Sequence, residues 1–371
     1  MTQTVVVGRC AAGALVATLA AGCYLSHERA EGDADAGPVV DCPRMPGPAW
    51  ETEDIATDVT SYAIAGDPTC GLHVVYSESV EGRLWHTVGR AGGSRRSLVA
   101  LHGVVGSGGL AVDGDVAHVA YVDEGLRYAR GEGSAWSTEM IDPWVLSAAI
   151  AVDPSGAPHI LYSRAESEEL RHAARGPGAW GIETVDSRRS FAPVLRIDAD
   201  GRLHATYSWD TSPPEQSVVY AVREADSSVW SMVSMEIDGL EIRSQSALVL
   251  VGYAPHLFYA AAVGAGREGL RHAVADGTPF TFEWIDEVSS RRIEPGAGTA
   301  DAFGTIHLVY DGSGGARTWA HGPPGAIALE SIASVLPPEG NGPLVAVDGA
   351  GVVHVVVSVA GRLVHFSRAA P

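Results

Sequence analysis

A short phrase recurs seven times along this chain: a turn, then a histidine inside an apolar run, and in six copies a tyrosine three residues later. The copies are GLHVVY (71–76), VAHVAY (116–121), APHILY (157–162), RLHATY (202–207), APHLFY (254–259), TIHLVY (305–310) and VVHVVV (352–357). Their histidines are His73, His118, His159, His204, His256, His307 and His354, and they recur every 41 to 52 residues. No other feature constrains the fold as strongly. A unit of this size cannot bury both of its own faces, so the copies must stack on one another.

Each unit reads as four strands. In the third copy, 149–152 is strand A and Asp153-Pro154-Ser155-Gly156 is a turn whose glycine supplies positive φ. Residues 158–163 form strand B, 170–175 strand C and 180–185 strand D. Strand C recurs as LWHTV (84–88), LRYAR (126–130), LRHAA (170–174), LRHAV (270–274) and LVHFS (363–367). Strand D often opens on an aromatic residue and ends on an acid, as in 136–142 and 180–186. Four strands per unit at this period predict an all-β fold, a seven-bladed β-propeller of four-stranded antiparallel blades. The seventh copy stops after strand C. Its fourth strand is found at the other end of the chain, where WETEDI (50–55) matches WGIETVD (180–186). An N-terminal strand closing the last blade removes the free sheet edges of an open stack. The apolar stretch 248–264 carries Pro255 and His256 in the repeat pattern, so it reads as two strands of blade five rather than a membrane span.

Ahead of the propeller, assigned to 49–371, two segments have other characters. Residues 1–23 hold one charge, Arg9, before an apolar run over 11–21 too short to span a bilayer, and read as an export signal. Residues 24–48 are polar, acidic and proline-containing, and read as a flexible tether. The mature chain would keep Cys42 and Cys70, which in an exported protein suggests a disulfide; free thiols are the alternative. Cys42 precedes strand D of blade seven and Cys70 lies in the A–B turn of blade one. The bond would staple the ring at its closure.

Net charge is −20, and all 25 basic residues are arginines. Such a surface disfavours nucleic acid and anionic lipid as partners. The recurring histidines sit one per blade and cannot converge on one ion, so no metal site and no cofactor are expected. They read instead as packing residues whose polar tips satisfy buried backbone groups. His86, His172, His272 and His365 on strand C read the same way. One identical ligand site per blade is a rival, weakened because His-x-x-Tyr spacing sends the two side chains to opposite sheet faces.

Residues that break the repeat carry more information about function. Propeller ligands usually meet the D–A and B–C loops. There the chain places Trp144, Arg188, Arg189, Phe191, Arg243, Arg291 and Arg292, and blade four adds Trp209, Asp210, Pro213, Pro214 and Glu215. Arginine forks suit carboxylate, sulfate or phosphate, and aromatics suit sugar rings or a protein hot spot. The bland alternative pairs these arginines with Asp186, Asp238, Glu241 and Glu294 as solvated ion pairs. No nucleophile elbow, zinc-protease motif or phosphate loop is present, so no catalytic residue is assigned.

Ala20-Ala21-Gly22-Cys23 resembles a bacterial lipobox, with alanine where leucine is usual three residues before the cysteine. The resemblance implies lipidation of Cys23 and a cell-envelope location, with the membrane met only through that lipid; ordinary secretion is the alternative. The Asp-x-x-Gly turns, His-x-x-Tyr strands and Leu-x-[Tyr/His]-Ala strands of 49–371 resemble bacterial repeat propellers loosely grouped with the sialidase and BNR-like superfamily. The Asp-box Ser-x-Asp-x-Gly-x-Thr-Trp of sialidases is absent. The leading expectation is a monomeric, anchored, non-catalytic propeller binding a glycan or protein through its D–A and B–C loops. A carbohydrate-active hydrolase or lyase, and a structural envelope scaffold, are the alternatives.

Overall fold

The computed structural model describes residues 46–370, except 69, 91–92, 213–214, 236–239, 264–266, 275–279, 287–292, 313–315 and 337–339. Every regular element among them is a strand. They form seven four-stranded antiparallel blades around a ring. Blade three is typical, with Val145–Val152, Pro158–Arg164, Leu170–Arg175 and Trp180–Asp186 paired in order from the axis outward. Blades four and five touch through one backbone pairing, Gln216 with Ile242. The apolar stretch of blade five is two paired strands, Leu240–Val251 and Ala254–Val263.

Blade seven closes as the repeat demands. Glu51–Ala56 pairs antiparallel with Arg362–Ala369, placing Glu51 opposite Ser367 and Glu53 opposite His365. The inner turns reinforce the closure. Gly71 N–H donates to Asp348 Oδ2 at 2.8 Å, and Gly349 N–H donates to the Asp67 carbonyl at 2.8 Å. Cys70 makes no disulfide among the described residues, and Cys42 lies outside them.

The core is a set of clusters between blades, which is why the inner strands are apolar on both faces. The strand-D aromatic of one blade lies edge-on against the strand-C ring of the blade before it. Trp136 meets His86, Trp180 meets Tyr128, Trp230 meets His172, Phe280 meets Tyr220 and Trp50 meets Trp319. Strand-B tyrosines tie neighbouring blades by hydrogen bonds. Tyr162 donates to Asp142, Tyr207 to Asp186 and Tyr310 to Asp286, at 2.7, 2.6 and 2.9 Å. Each acceptor ends strand D of the preceding blade, and this explains the acids recurring there.

The histidines satisfy side chains rather than the backbone groups expected from sequence. In blade three, Asp153 Oδ1 accepts the N–H groups of Ser155 and Ala157 and so shapes the turn. Its Oδ2 faces His159 Nε2 at 3.3 Å, His159 Nδ1 meets His172 Nε2 at 3.0 Å, and His172 Nδ1 meets Glu183 at 3.0 Å. A polar spine thus crosses the blade from inner turn to outer strand. Blade seven repeats it with Asp348, His354, His365 and Glu53. Elsewhere the spine is partial: in blade two His118 meets Tyr128 at 2.7 Å, and in blade four His204 meets Tyr220 at 2.7 Å. The strand ladder keeps these spines in separate blades, and no group of three His, Cys, Asp or Glu side chains among the described residues is arranged so that it could hold a metal ion.

Candidate functional site

The D–A connections and B–C loops share one face of the ring, and the loops of blades two to four form a continuous band there. Between blades two and three, Trp144 sits in the left-handed region at φ 61° and is 61% exposed. Its carbonyl accepts the N–H of Ala165, which opens the B–C loop of blade three. At the far end of that loop the Glu168 carbonyl accepts the N–H of Ser190, in the next D–A connection. Glu168 also pairs with Arg189 at 2.6 Å. The backbone therefore links Trp144 to Arg189 through one short loop.

Arg188 is held by a fork. Its Nε donates to Asp186 Oδ1 at 2.9 Å and its Nη2 to Oδ2 at 2.7 Å, while its plane lies 3.7 Å over the Trp209 ring. Burial would raise the Asp186 pKa, but the bonds from Arg188 and Tyr207 outweigh it and hold this carboxyl low. The structure stacks Arg188 on Trp209, joins Trp144 to the Arg189 connection through loop 165–168, and gives both arginines carboxylate partners. Arg188 takes Asp186, one of the acids named from the sequence, whereas Arg189 pairs with Glu168, which was not among them. Trp209 and Asp210 lie on the strand Leu203–Ser212 rather than in a long B–C loop, and Arg243 on the innermost strand of blade five rather than in a connection; the side chains of Asp210 and Arg243 fall outside the described residues. Arg291 and Arg292 lie outside them entirely.

Two further features of this face were not anticipated. Val80 and Leu101 on connections of blades one and two, and Val104 and Leu146 at the starts of the innermost strands of blades two and three, are all more than half exposed. Nearer the axis, a cavity of about 330 Å³ lies at the loop-face ends of the innermost strands of blades one, two, six and seven. Ser61, Tyr62, Ser107, Glu294 and Gly342 line it. The Tyr62 hydroxyl donates to the Gly342 carbonyl at 2.7 Å. Glycine is required here: a Cβ on Gly342 would stand 2.0 Å from Glu294 Cγ, and one on Gly296 would stand 2.9 Å from the Ser107 carbonyl oxygen. No motif could have revealed this cavity, because four distant repeats each supply part of its wall. The glycines at strand starts were the only trace.

The fold and this loop face define a seven-bladed propeller with an asymmetric candidate binding surface. No protein-family model matches the chain. No curated protein matches its sequence. Solved structures do resemble it. Polysaccharide lyase Uly1 superposes with a TM-score of 0.55 at 9% identity, covering 91% of this chain and 94% of that one. A PL25 ulvan lyase bound to -[GlcA(1-4)Rha3S]- gives 0.57 at 12%, covering 84% and 93%. YCF48 from Cyanidioschyzon merolae gives 0.56 at 13%, covering 86% and 98%. At such identities the likeness shows the fold alone.

Proposed function

We propose that this chain is a recognition propeller that binds a glycan through the band of D–A and B–C loops running from Trp144 to Trp209. The observation that carries this reading is Trp144. A bulky side chain in the left-handed region costs about 1–3 kcal/mol, and such strain clusters at functional positions. Packing cannot offset that cost for a ring left 61% exposed. An outward-facing indole beside a stacked Arg188–Trp209 pair suits the apolar face of a sugar. Because Arg188 and Arg189 already hold carboxylates, the preferred glycan is uncharged rather than sulfated or uronic. The ulvan lyase bound to a saccharide supports the idea that a propeller of this shape can present a glycan surface. In the same reading, a lipid on Cys23 and the acidic segment 24–48 hold the propeller at a bacterial membrane.

The test is a glycan-array screen of the full chain beside Trp144→Gly. Glycine relieves the left-handed strain, so the variant should melt no lower than wild type while losing about tenfold or more in affinity. Wild-type protein that retains no glycan, or a variant that binds as wild type does, would refute the reading.

A further inference from the structure

The axis of the ring holds one arginine that breaks every pattern around it. Opposite each strand-B histidine, the innermost strand presents a residue at the same level. Six of these are short: Ala65, Ala111, Ala151, Val249, Thr299 and Ala346. The seventh, in blade four, is Arg196. Its Nη1 donates to the Leu195 carbonyl at 3.0 Å. Its Nη2 reaches the Gly298 carbonyl at 3.5 Å, two blades further round the ring. The side chain therefore leaves its own blade and projects along the channel wall.

Arginines with little exposed surface have an acid beside them: buried Arg317 has Asp311, and part-buried Arg223 and Arg368 have Glu183 and Glu330. Among the described residues no carboxylate pairs with Arg196. Burial lowers its pKa to about 10, and no neighbouring charge contributes. The residue is part-buried and keeps some of its surface accessible. Two carbonyl contacts leave most of the five guanidinium N–H donors for another acceptor, and no described carboxylate neutralises the charge.

We propose that Arg196 holds a small monovalent anion, of chloride or formate size, in the axial channel. The short side chains at its level leave room for an ion. This site is independent of the glycan-binding band.

The test is thermal melting of the full chain and of Arg196→Met in chloride against gluconate at equal ionic strength. Wild type should melt higher in chloride, by about 2 °C when the anion is near tenfold its Kd. Arg196→Met should show no difference between the salts. A wild-type melting point equal in both salts, or an equal shift in both proteins, would overturn the proposal. Should the variant fail to fold, chloride-35 linewidths of the wild type decide. Saturable broadening that formate displaces supports the site, and its absence overturns it.

Discussion

Acid should unfold this protein through its buried histidines. His86, His118 and His256 lie in blades one, two and five, far enough apart to be treated as independent. Burial, the largest cause in each, lowers their pKa values from 6.5 to about 3, 4 and 4. The histidines of blades three and seven are left out, because Asp153, Glu183 and Asp348 offset part of the burial there. A base with a depressed folded pKa adds no instability above 6.5. Below it the unfolded chain takes up protons that the folded chain refuses, so stability falls steadily until the folded value is reached. At pH 5 this costs about 2 kcal/mol per histidine, or about 6 kcal/mol for the three. An ordinary domain has only about 5–15 kcal/mol of stability. Urea unfolding followed by tryptophan fluorescence at pH 7.5, 6 and 5 should show the loss. Its slope near pH 5.5 should report about three protons taken up on unfolding. A change below about 1 kcal/mol between pH 7.5 and 5 would refute the burial argument. So would a rise in stability on acidification.

Two other perturbations probe how the ring holds together. Tyr162→Phe removes the inter-blade bond to the buried Asp142 and should cost about 2 kcal/mol in urea unfolding; no measurable loss would mean that the tie is ornamental. Gly66→Ala would place a Cβ 2.0 Å from the Val347 carbonyl oxygen where blades one and seven meet. It should cost about 3 kcal/mol or more. Gly178→Ala, with open space around it, should melt as wild type, and equal melting of the two variants would dispose of the close-approach argument.

Much of the architecture is readable from the chain because it is repeated. Seven copies of one pattern report the same local environment, so blade number, strand order and the closing strand, read as 50–55 and observed at Glu51–Ala56, are visible without coordinates. The acids ending strand D were visible too, but their role was not, because Asp142 and Tyr162 belong to different repeats. The repeated histidines read from the sequence as packing residues, and in the structure they bond to side chains of the neighbouring strand. Their partners were misread because strand periodicity says which face a side chain occupies and nothing of what stands opposite in the next strand.

The candidate site is less legible for the same reason. Sequence placed Trp144, Arg188, Arg189 and Trp209 on loops of one face, since loop order follows strand order. Only the tertiary structure decided that Asp186 and Glu168 neutralise those arginines, that Trp144 is held in a left-handed turn, and that four repeats line an open pocket near the axis. It alone singles out Arg196, one arginine among many in the sequence and the exception at its level in the channel. Repetition encodes what every blade must do alike, through hydrogen-bonding period and burial. Contacts between blades depend on how the ring closes, and closure brings together residues that the sequence keeps far apart.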